Sequence, residues 1–259
     1  MERLGLHVEV EALAKQVEQL QARIQVLEDE QAIQKLETAY AYYIEHLMVD
    51  EITDCWADGG SMVWVGLGIY RDKPAIKKLW QTVKDHFAAR GETRHLGPRI
   101  SPYVTVAPDG KTANARWYVA GTPLGASMLC ENTYIKQDGV WKIDVMNVGA
   151  FPLDPITLAS IAASSALGPD AALAASKAEP VHMTPEEEEK QTQEYMGGYP
   201  FTERLVRTPR QEFGPYLRPF SFKHPVTGKD VNETVAAHNA AYPCPMPPGG
   251  EKWTAKDQA

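Results

Sequence analysis

The stretch QAIQKLETAYAYYIEHLMVDEITDCWADGG, residues 31–60, decides the fold. Its first half alternates steps of three and four between apolar or aromatic residues, which predicts a helix with one buried face formed by Ile33, Leu36, Tyr40, Tyr43 and Leu47. Two of these positions carry phenols, and a buried phenol hydroxyl needs a hydrogen-bond partner. Either the fold supplies that partner, or the hydroxyls face a pocket and the helix is catalytic.

The segment before this helix, residues 8–30, has the pattern of a coiled coil. Apolar residues keep the three-four rhythm, with β-branched side chains at one core position and leucine at the other: Val10, Leu13, Val17, Leu20, Ile24 and Leu27. The rhythm shifts after Leu27, because the next apolar face starts at Ile33. We therefore assign residues 1–30 to an N-terminal helix, and we favour a contact between subunits over packing on its own domain.

The rest of the main domain changes from helical to strand periodicity. Residues 50–57 predict a short helix that ends at an Asp58-Gly59-Gly60 turn, and the strand-like SMVWVGLGIYR follows, interrupted at Gly66 and Gly68. Asp72 can cap a third helix that runs to about Ala89 and buries Ile76, Leu79, Trp80, Val83 and Phe87. Four strand-like segments follow, with two hairpin turns between them, at residues 108–110 and 137–139. Helices followed by an antiparallel meander indicate an α+β domain over residues 31–150.

Residues 151–259 form a C-terminal extension of different composition. Residues 156–178 are Ala-rich and predict a helix broken at Gly168-Pro169, and an acidic segment follows. After these segments, proline, glycine and aromatic residues alternate without a period. Disordered segments are poor in aromatic residues, so we expect an ordered arm that wraps the main domain or a neighbouring subunit.

Composition excludes several classes of function. Lysine and arginine number 26 against 34 acidic residues, a net charge of −8 without a basic patch, so we expect no nucleic-acid partner. Three cysteines without paired spacing, together with the lack of a signal peptide or a long apolar run, predict a cytoplasmic protein with no membrane contact. Nucleotide-binding, nucleophile-elbow and zinc motifs are missing, so we predict neither cofactor nor metal.

Three ordered motifs carry a family resemblance over roughly residues 31–150. They are GIYRDKPAI at residues 68–76, Arg94-His95, and DGVWKI at residues 138–143. Together they resemble the SnoaL-like branch of the nuclear-transport-factor-2-like (NTF2-like) superfamily. The resemblance implies an α+β cone, in which a curved antiparallel sheet and the helices enclose an apolar pocket. It does not fix the function, because the family contains cofactor-free enzymes and plain binding modules.

The resemblance also implies a set of site residues. Enzymes of this family use a tyrosine and an acid on the first helix, here Tyr43 or Tyr40 with Glu45, and a histidine before a sheet strand, here His95. The family usually has an aspartate shortly after the tyrosine, whereas here Glu45 is the nearest acid and Asp50 the next. A histidine can exchange protons near neutral pH, a carboxylate can orient it, and a phenol can donate to a developing oxyanion. Six further residues are candidates for binding substrate: Arg94, Trp64, Trp117, Glu131, Asn132 and Asp144. Consecutive strand residues point to opposite faces, so only one of Glu131 and Asn132 can meet the pocket.

These parts suit a cofactor-independent lyase that acts on a bulky hydroxylated aromatic small molecule. The long N-terminal helix and the C-terminal arm look like those of lignin-catabolic diarylpropane γ-formaldehyde lyases, which narrows the hypothesis to deformylation with release of formaldehyde. The alternatives are a dehydratase, an isomerase or a polyketide-cyclase-type enzyme, or a non-catalytic binding or oligomerisation module. We expect a homo-oligomer, either a dimer or a trimer.

Overall fold

The structure, a computed structural model, describes residues 2–64, 68–91, 99–119, 128–150, 187, 190, 193–194, 197–204 and 220–241. The helices are α1 (Glu2–Glu45), α2 (Val49–Asp54), α3 (Asp72–Ala89) and α4 (Asn232–Ala241). The strands are β1 (Trp56–Trp64), β2 (Gly68–Arg71), β3 (Arg99–Val106), β4 (Thr112–Val119), β5 (Met128–Gln137), β6 (Val140–Ala150) and β7 (Glu203–Arg204).

The strands form one sheet in the order β3-β4-β5-β6-β1-β2-β7. All neighbours are antiparallel except β1 and β6, which run parallel. Register shifts interrupt three of the ladders, and such irregularities bend a sheet. The sheet is curved and unclosed, and α1 and α3 pack against it around a single apolar core. The predicted α+β class is confirmed.

Helix α1 is one continuous helix of 44 residues that changes its surroundings partway along. The apolar residues of its first half are exposed, whereas burial starts at Asp29 and continues with Ile33, Glu37, Tyr40, Ala41 and Ile44. The predicted buried face was therefore partly wrong, because Leu36 and Tyr43 are only half-buried. The buried face of α1 continues from Ile33 to Glu37, four residues further along. The Glu37 carboxylate has charged and polar partners inside the domain.

The predicted end of the second helix was wrong. Helix α2 ends at Asp54, and the Asp58-Gly59-Gly60 segment belongs to β1 instead of a turn. Trp56 pairs with Ile143 of β6 and is fully buried, as is Ala57. β1 pairs with β6 at Trp56 and again from Ser61, so the segment between them lies within the strand as an irregularity of the ladder, where the local Gly-Gly signal favoured a turn.

Helix α3 has the predicted bounds. The Asp72 carboxylate accepts a hydrogen bond of 3.2 Å from the Ala75 N–H, which satisfies a donor at the helix start. All five of the predicted core positions are buried: Ile76, Leu79, Trp80, Val83 and Phe87.

Several described residues of the C-terminal extension contact the sheet of their own chain. Strand β7 pairs with β2, and Tyr199 stacks on Tyr70 with ring centroids 5.6 Å apart. The Phe201 ring lies so close to Gly68 that an added Cβ would be 2.1 Å from Phe201 Cγ, so this position requires glycine. On the outer face of β3 and β4, Phe222 stacks on Tyr103 at 3.7 Å. The predicted Ala-rich helix over residues 156–178 lies outside the described residues.

Candidate active site

A buried ion pair joins α1 to the first residue of β3. The Arg99 Nε donates to Glu37 Oε2 at 3.3 Å, and the two side chains are 6% and 0% exposed. The guanidinium also lies over the Tyr40 ring, 5.6 Å from its centroid. A charge pair is costly to desolvate unless further hydrogen bonds satisfy its remaining atoms, so the surroundings of Glu37 decide whether the pair is stable.

The second carboxylate oxygen of Glu37 is the centre of a hydrogen-bond network. Glu37 Oε1 accepts from the Tyr134 hydroxyl at 2.6 Å and from Asn132 Nδ2 at 2.5 Å. The Tyr134 oxygen in turn accepts from the Trp117 indole N–H at 2.9 Å. Asn132 and Tyr134 are two apart on β5 and so point to the same face, and Trp117 lies on the adjacent strand β4. We call Glu37, Arg99, Asn132, Tyr134 and Trp117 the Glu37 network.

Burial and charge hold Arg99 and Tyr134 in fixed protonation states. Burial alone would lower the pKa of the Arg99 guanidinium, but Cys130, Glu37 and Tyr40 raise it above its usual value. Burial, and after it the Glu37 charge, raises the pKa of the Tyr134 phenol well above its ordinary value. Arg99 therefore stays charged and Tyr134 stays protonated, so the phenol is a permanent donor to Glu37.

Tyr40 lies beside the network with its hydroxyl unsatisfied. Its side chain is fully buried, and its ring meets Trp56 edge to face with centroids 6.1 Å apart. Within the described part of the chain, no hydrogen bond of normal geometry reaches the Tyr40 hydroxyl, the Trp56 indole N–H or Asn132 Oδ1. Burial raises the pKa of Tyr40, although Arg99 and the nearby Trp56 indole oppose the rise. Buried polar groups are normally hydrogen-bonded, so a protonated phenol without a partner is a candidate for contact with a ligand.

The predicted site residues are only partly brought together. Asn132 and Trp117 belong to the Glu37 network, and Tyr40 adjoins it. Tyr43 is half-buried against the core, and Glu45 is the half-buried last residue of α1. His95, Arg94 and the Trp64 side chain lie outside the described residues, so the proposed pairing of His95 with Glu45 stays a prediction.

Two predicted binding residues lie on the opposite face of the sheet from the network. Glu131 precedes Asn132 on β5 and pairs with Arg116, whose Nε is 2.8 Å from Glu131 Oε1. Asp144 is half-buried and accepts a hydrogen bond of 3.3 Å from Thr133. Burial raises the pKa of its carboxyl, and the Thr133 hydroxyl only partly offsets this. The side-chain partners of Glu131 and Asp144 are Arg116 and Thr133, outside the network, and Asn132 is the inward member of the Glu131–Asn132 pair.

The sequence interpretation missed Glu37, Arg99 and Tyr134. Glu37 gave a usable signal, because it lies four residues after Ile33 and three before Tyr40, and a charged residue on that face has to find a partner. Tyr134 follows Asn132 by two residues and so shares its face, but Arg99 gave no local signal.

Other kinds of site are not evident in the described part of the chain. No group of three or more histidine, cysteine or acidic side chains there could hold a metal ion. None of the helices among these residues is long and apolar enough to cross a membrane. A separate surface cavity of about 540 Å³ lies where α3 begins, lined by Arg71, Asp72, Pro74, Ala75, Tyr199, Thr202 and Glu203.

Comparisons with known proteins support the class of domain. Residues 25–147 match the family model of the SnoaL-like domain, which supports the SnoaL-like, NTF2-like resemblance of this region. A comparison with curated proteins found no match.

Several solved structures are similar to part of this chain. One is an NTF2-like protein with a cystatin-like fold from Novosphingobium aromaticivorans, at 21% identity and a TM-score of 0.44, covering 51% of this chain and 87% of that one. Another is a type 2 hexachlorocyclohexane dehydrochlorinase, LinA, at 17% identity and a TM-score of 0.40, covering 49% of this chain and 88% of that one. A third is a provisionally named scytalone dehydratase from Novosphingobium aromaticivorans, at 15% identity and a TM-score of 0.42, covering 49% of this chain and 87% of that one. The last two are named for enzyme activities.

Proposed function

We propose that this protein is a cofactor-independent acid–base lyase acting on a bulky hydroxylated aromatic small molecule. The observation that carries the proposal is the buried Tyr40 hydroxyl, which has no hydrogen-bond partner in the described part of the chain and lies beside a hydrogen-bonded carboxylate–guanidinium pair. Ionisable groups set in a protein interior, where aliphatic side chains would pack as well, are candidates for a functional site.

Tyr40 acts in this proposal as the proton donor. Its raised pKa keeps the phenol protonated at neutral pH, so it can donate to a leaving hydroxyl or to a developing oxyanion. Arg99 stabilises the phenolate that forms, because its guanidinium lies 5.6 Å from the centre of the Tyr40 ring. The Glu37 network fixes Arg99 in that position.

His95 acts as the general base and Glu45 orients it, while Arg94 binds a phenolate or carboxylate of the substrate. Tyr43, one turn further along α1, is the alternative donor. His95 precedes Arg99, a member of the Glu37 network, by four residues in the sequence. An unperturbed imidazole titrates near pH 6.5, so it can accept a proton at working pH.

The specific reaction we propose is deformylation of a lignin-derived diarylpropane diol. The base takes the proton of the terminal hydroxyl, and the released electron pair forms the carbonyl of formaldehyde. The bond between the central and terminal carbons breaks, and its electron pair forms the alkene as the benzylic C–O bond breaks. Tyr40 protonates the departing hydroxide, so the products are a stilbene, formaldehyde and water.

The test is turnover of diarylpropane diols by metal-free protein, followed by formaldehyde release and stilbene absorbance. Tyr40→Phe and His95→Ala should each lower kcat by a factor of about 100 to 10,000, the usual contribution of a positioned acid or base. Tyr42→Phe is the matched control, because this tyrosine is 61% exposed on the same helix. Absence of turnover by folded wild-type protein would exclude the deformylation, and normal kcat in both variants would exclude the assigned residues.

A non-catalytic binding or oligomerisation module is the second candidate. It is favoured by the burial of the Glu37 network, whose members hydrogen-bond to one another and leave little of their surface exposed. In that case Tyr40→Phe would remove an unsatisfied hydroxyl and raise the free energy of unfolding. A panel of hydroxylated aromatic compounds would then give neither turnover nor a shift in Tm.

A further inference from the structure

The first half of α1 carries an apolar stripe that the described part of the chain leaves uncovered. Each of its six residues exposes more than half of its surface: Val10 55%, Leu13 60%, Val17 51%, Leu20 53%, Ile24 52% and Leu27 64%. We propose that residues 9–30 pair with the same segment of a second copy of this chain, as a parallel two-stranded coiled coil.

The attachment of α1 to its own domain points this stripe outward. The Asp29 carboxylate accepts from Lys136 Nζ at 2.7 Å and from the Trp141 indole N–H at 2.9 Å. With Val10 at position a of the heptad, Asp29 falls at position f, which is opposite the a/d seam. Roughly 40 Å of helix precedes Asp29, at 1.5 Å per residue. A second copy can therefore reach the seam without displacing a contact that Asp29 makes with Lys136 or Trp141.

The residue types at the seam favour two parallel strands. Valine or isoleucine occupies each a position and leucine each d position, the combination that selects two-stranded parallel packing. Three heptads are few for an isolated peptide, because a helix is costly to nucleate. Here α1 is continuous into the buried half that begins near Ile33, so the domain has already nucleated the helix that the partner meets.

Charges beside the seam select the parallel orientation. In a parallel pair, Arg23 at position g faces Glu28 of the partner subunit at position e, and symmetry makes this contact twice. An antiparallel pair that keeps all six apolar layers would instead place Glu9 against Glu30 of the partner subunit at both ends. Arg23 would then face the uncharged Gln16 of the partner subunit. The attractive pair and the avoided repulsion both favour the parallel arrangement.

The first experiment measures the mass of the full chain by sedimentation equilibrium at micromolar concentration. We expect a dimer, a loss of association of about 100-fold or more for Leu20→Glu, and no loss for Gln19→Glu. Gln19 receives the same charge at position c, outside the seam, and is the matched control. A monomeric or trimeric wild type, or a Leu20→Glu variant that still dimerises normally, would overturn the proposal.

A charge exchange tests the orientation without disturbing the apolar seam. Positions 23 and 28 have no charged residue three or four places away on their own helix, so exchanging their charges alters only contacts between chains. Arg23→Glu and Glu28→Arg should each weaken association about tenfold, since each creates two like-charge contacts. The double variant should return to within about twofold of the wild type. A double variant no tighter than either single variant would exclude the parallel register.

Discussion

Removing one charge of the Glu37–Arg99 pair should destabilise the protein far more than removing both. Glu37→Gln retains the shape and an acceptor oxygen for Tyr134, but it leaves the buried Arg99 guanidinium without its counter-charge. Arg99→Met retains the apolar stem and leaves Glu37 as an unpaired buried carboxylate. The double variant leaves two neutral side chains of similar size.

The expected magnitude follows from the geometry of the pair. At 3.3 Å and an effective dielectric constant of about 20, the attraction is about 5 kcal/mol. Breaking a buried pair from one side costs about 3–5 kcal/mol, because the remaining charge stays buried after the opposite charge has been removed. Each single variant should therefore lose about 3–5 kcal/mol of unfolding free energy, and the double variant should lose less than either.

Urea unfolding, monitored by tryptophan fluorescence, gives the four free energies of this cycle. Trp117 lies within the network and reports directly on it. Glu203→Gln is the matched control, because it breaks the half-exposed pair with Arg71 and should cost less than about 1 kcal/mol. If the losses of the two single variants simply add in the double variant, the two charges are not coupled and the network does not hold Arg99 in place.

Three further predictions concern single positions. Asp29→Asn should lower the free energy of unfolding at pH 7, because burial raises the pKa of this carboxyl but the hydrogen bonds from Lys136 and Trp141 outweigh it and lower the pKa. That stabilisation is present above about pH 4 and is lost as the pH falls through the folded-state pKa. The denaturation curves of the wild type and the variant should therefore converge in acid. Asp144→Asn should leave the free energy of unfolding at pH 7 equal or higher, because burial raises the pKa of this carboxyl. Its charged form is therefore destabilising until the pH falls through that raised pKa. A clear loss of stability at pH 7 would show a role for the charge. Gly68→Ala should lower the free energy of unfolding by about 1–3 kcal/mol, measured by thermal unfolding, because the added Cβ pushes Phe201 aside. Gly59→Ala is the control and should be nearly neutral, because its added Cβ meets nothing within 4 Å.

Elements defined by local signals were predicted well from the sequence. Helix α3 carries its own start signal at Asp72 and a complete apolar face, so its bounds and its core were fixed by neighbouring residues. The α+β class likewise followed from the change of period along the chain. By contrast, the Gly-Gly segment at residues 59 and 60 lies inside β1 and not in a turn, because β1 pairs on both sides of it with β6, a partner far away in the sequence.

The candidate site was harder to predict because its residues contact partners that are distant in the sequence. Glu37 is separated by 62 residues from Arg99 and by 97 from Tyr134, and only the folded sheet brings them together. The sequence directed attention to the phenols of α1, and Tyr40 does adjoin the network. A charged residue on an otherwise apolar face was the one clue available, and it identifies the carboxylate but not its partners.

The parallel pairing of β1 with β6 sets the order in which the domain can be completed. Trp56 meets Ile143, so the contact closes a loop of 143 − 56 = 87 residues, whereas the β5–β6 hairpin closes within a few. Closing a long loop costs conformational entropy before any contact compensates for it, and contacts distant in sequence slow folding. On the ribosome, β1 therefore emerges long before its neighbour is made. Until β6 is synthesised, one edge of β1 stays open to other chains, and this interval is when the nascent protein is most exposed to misassembly.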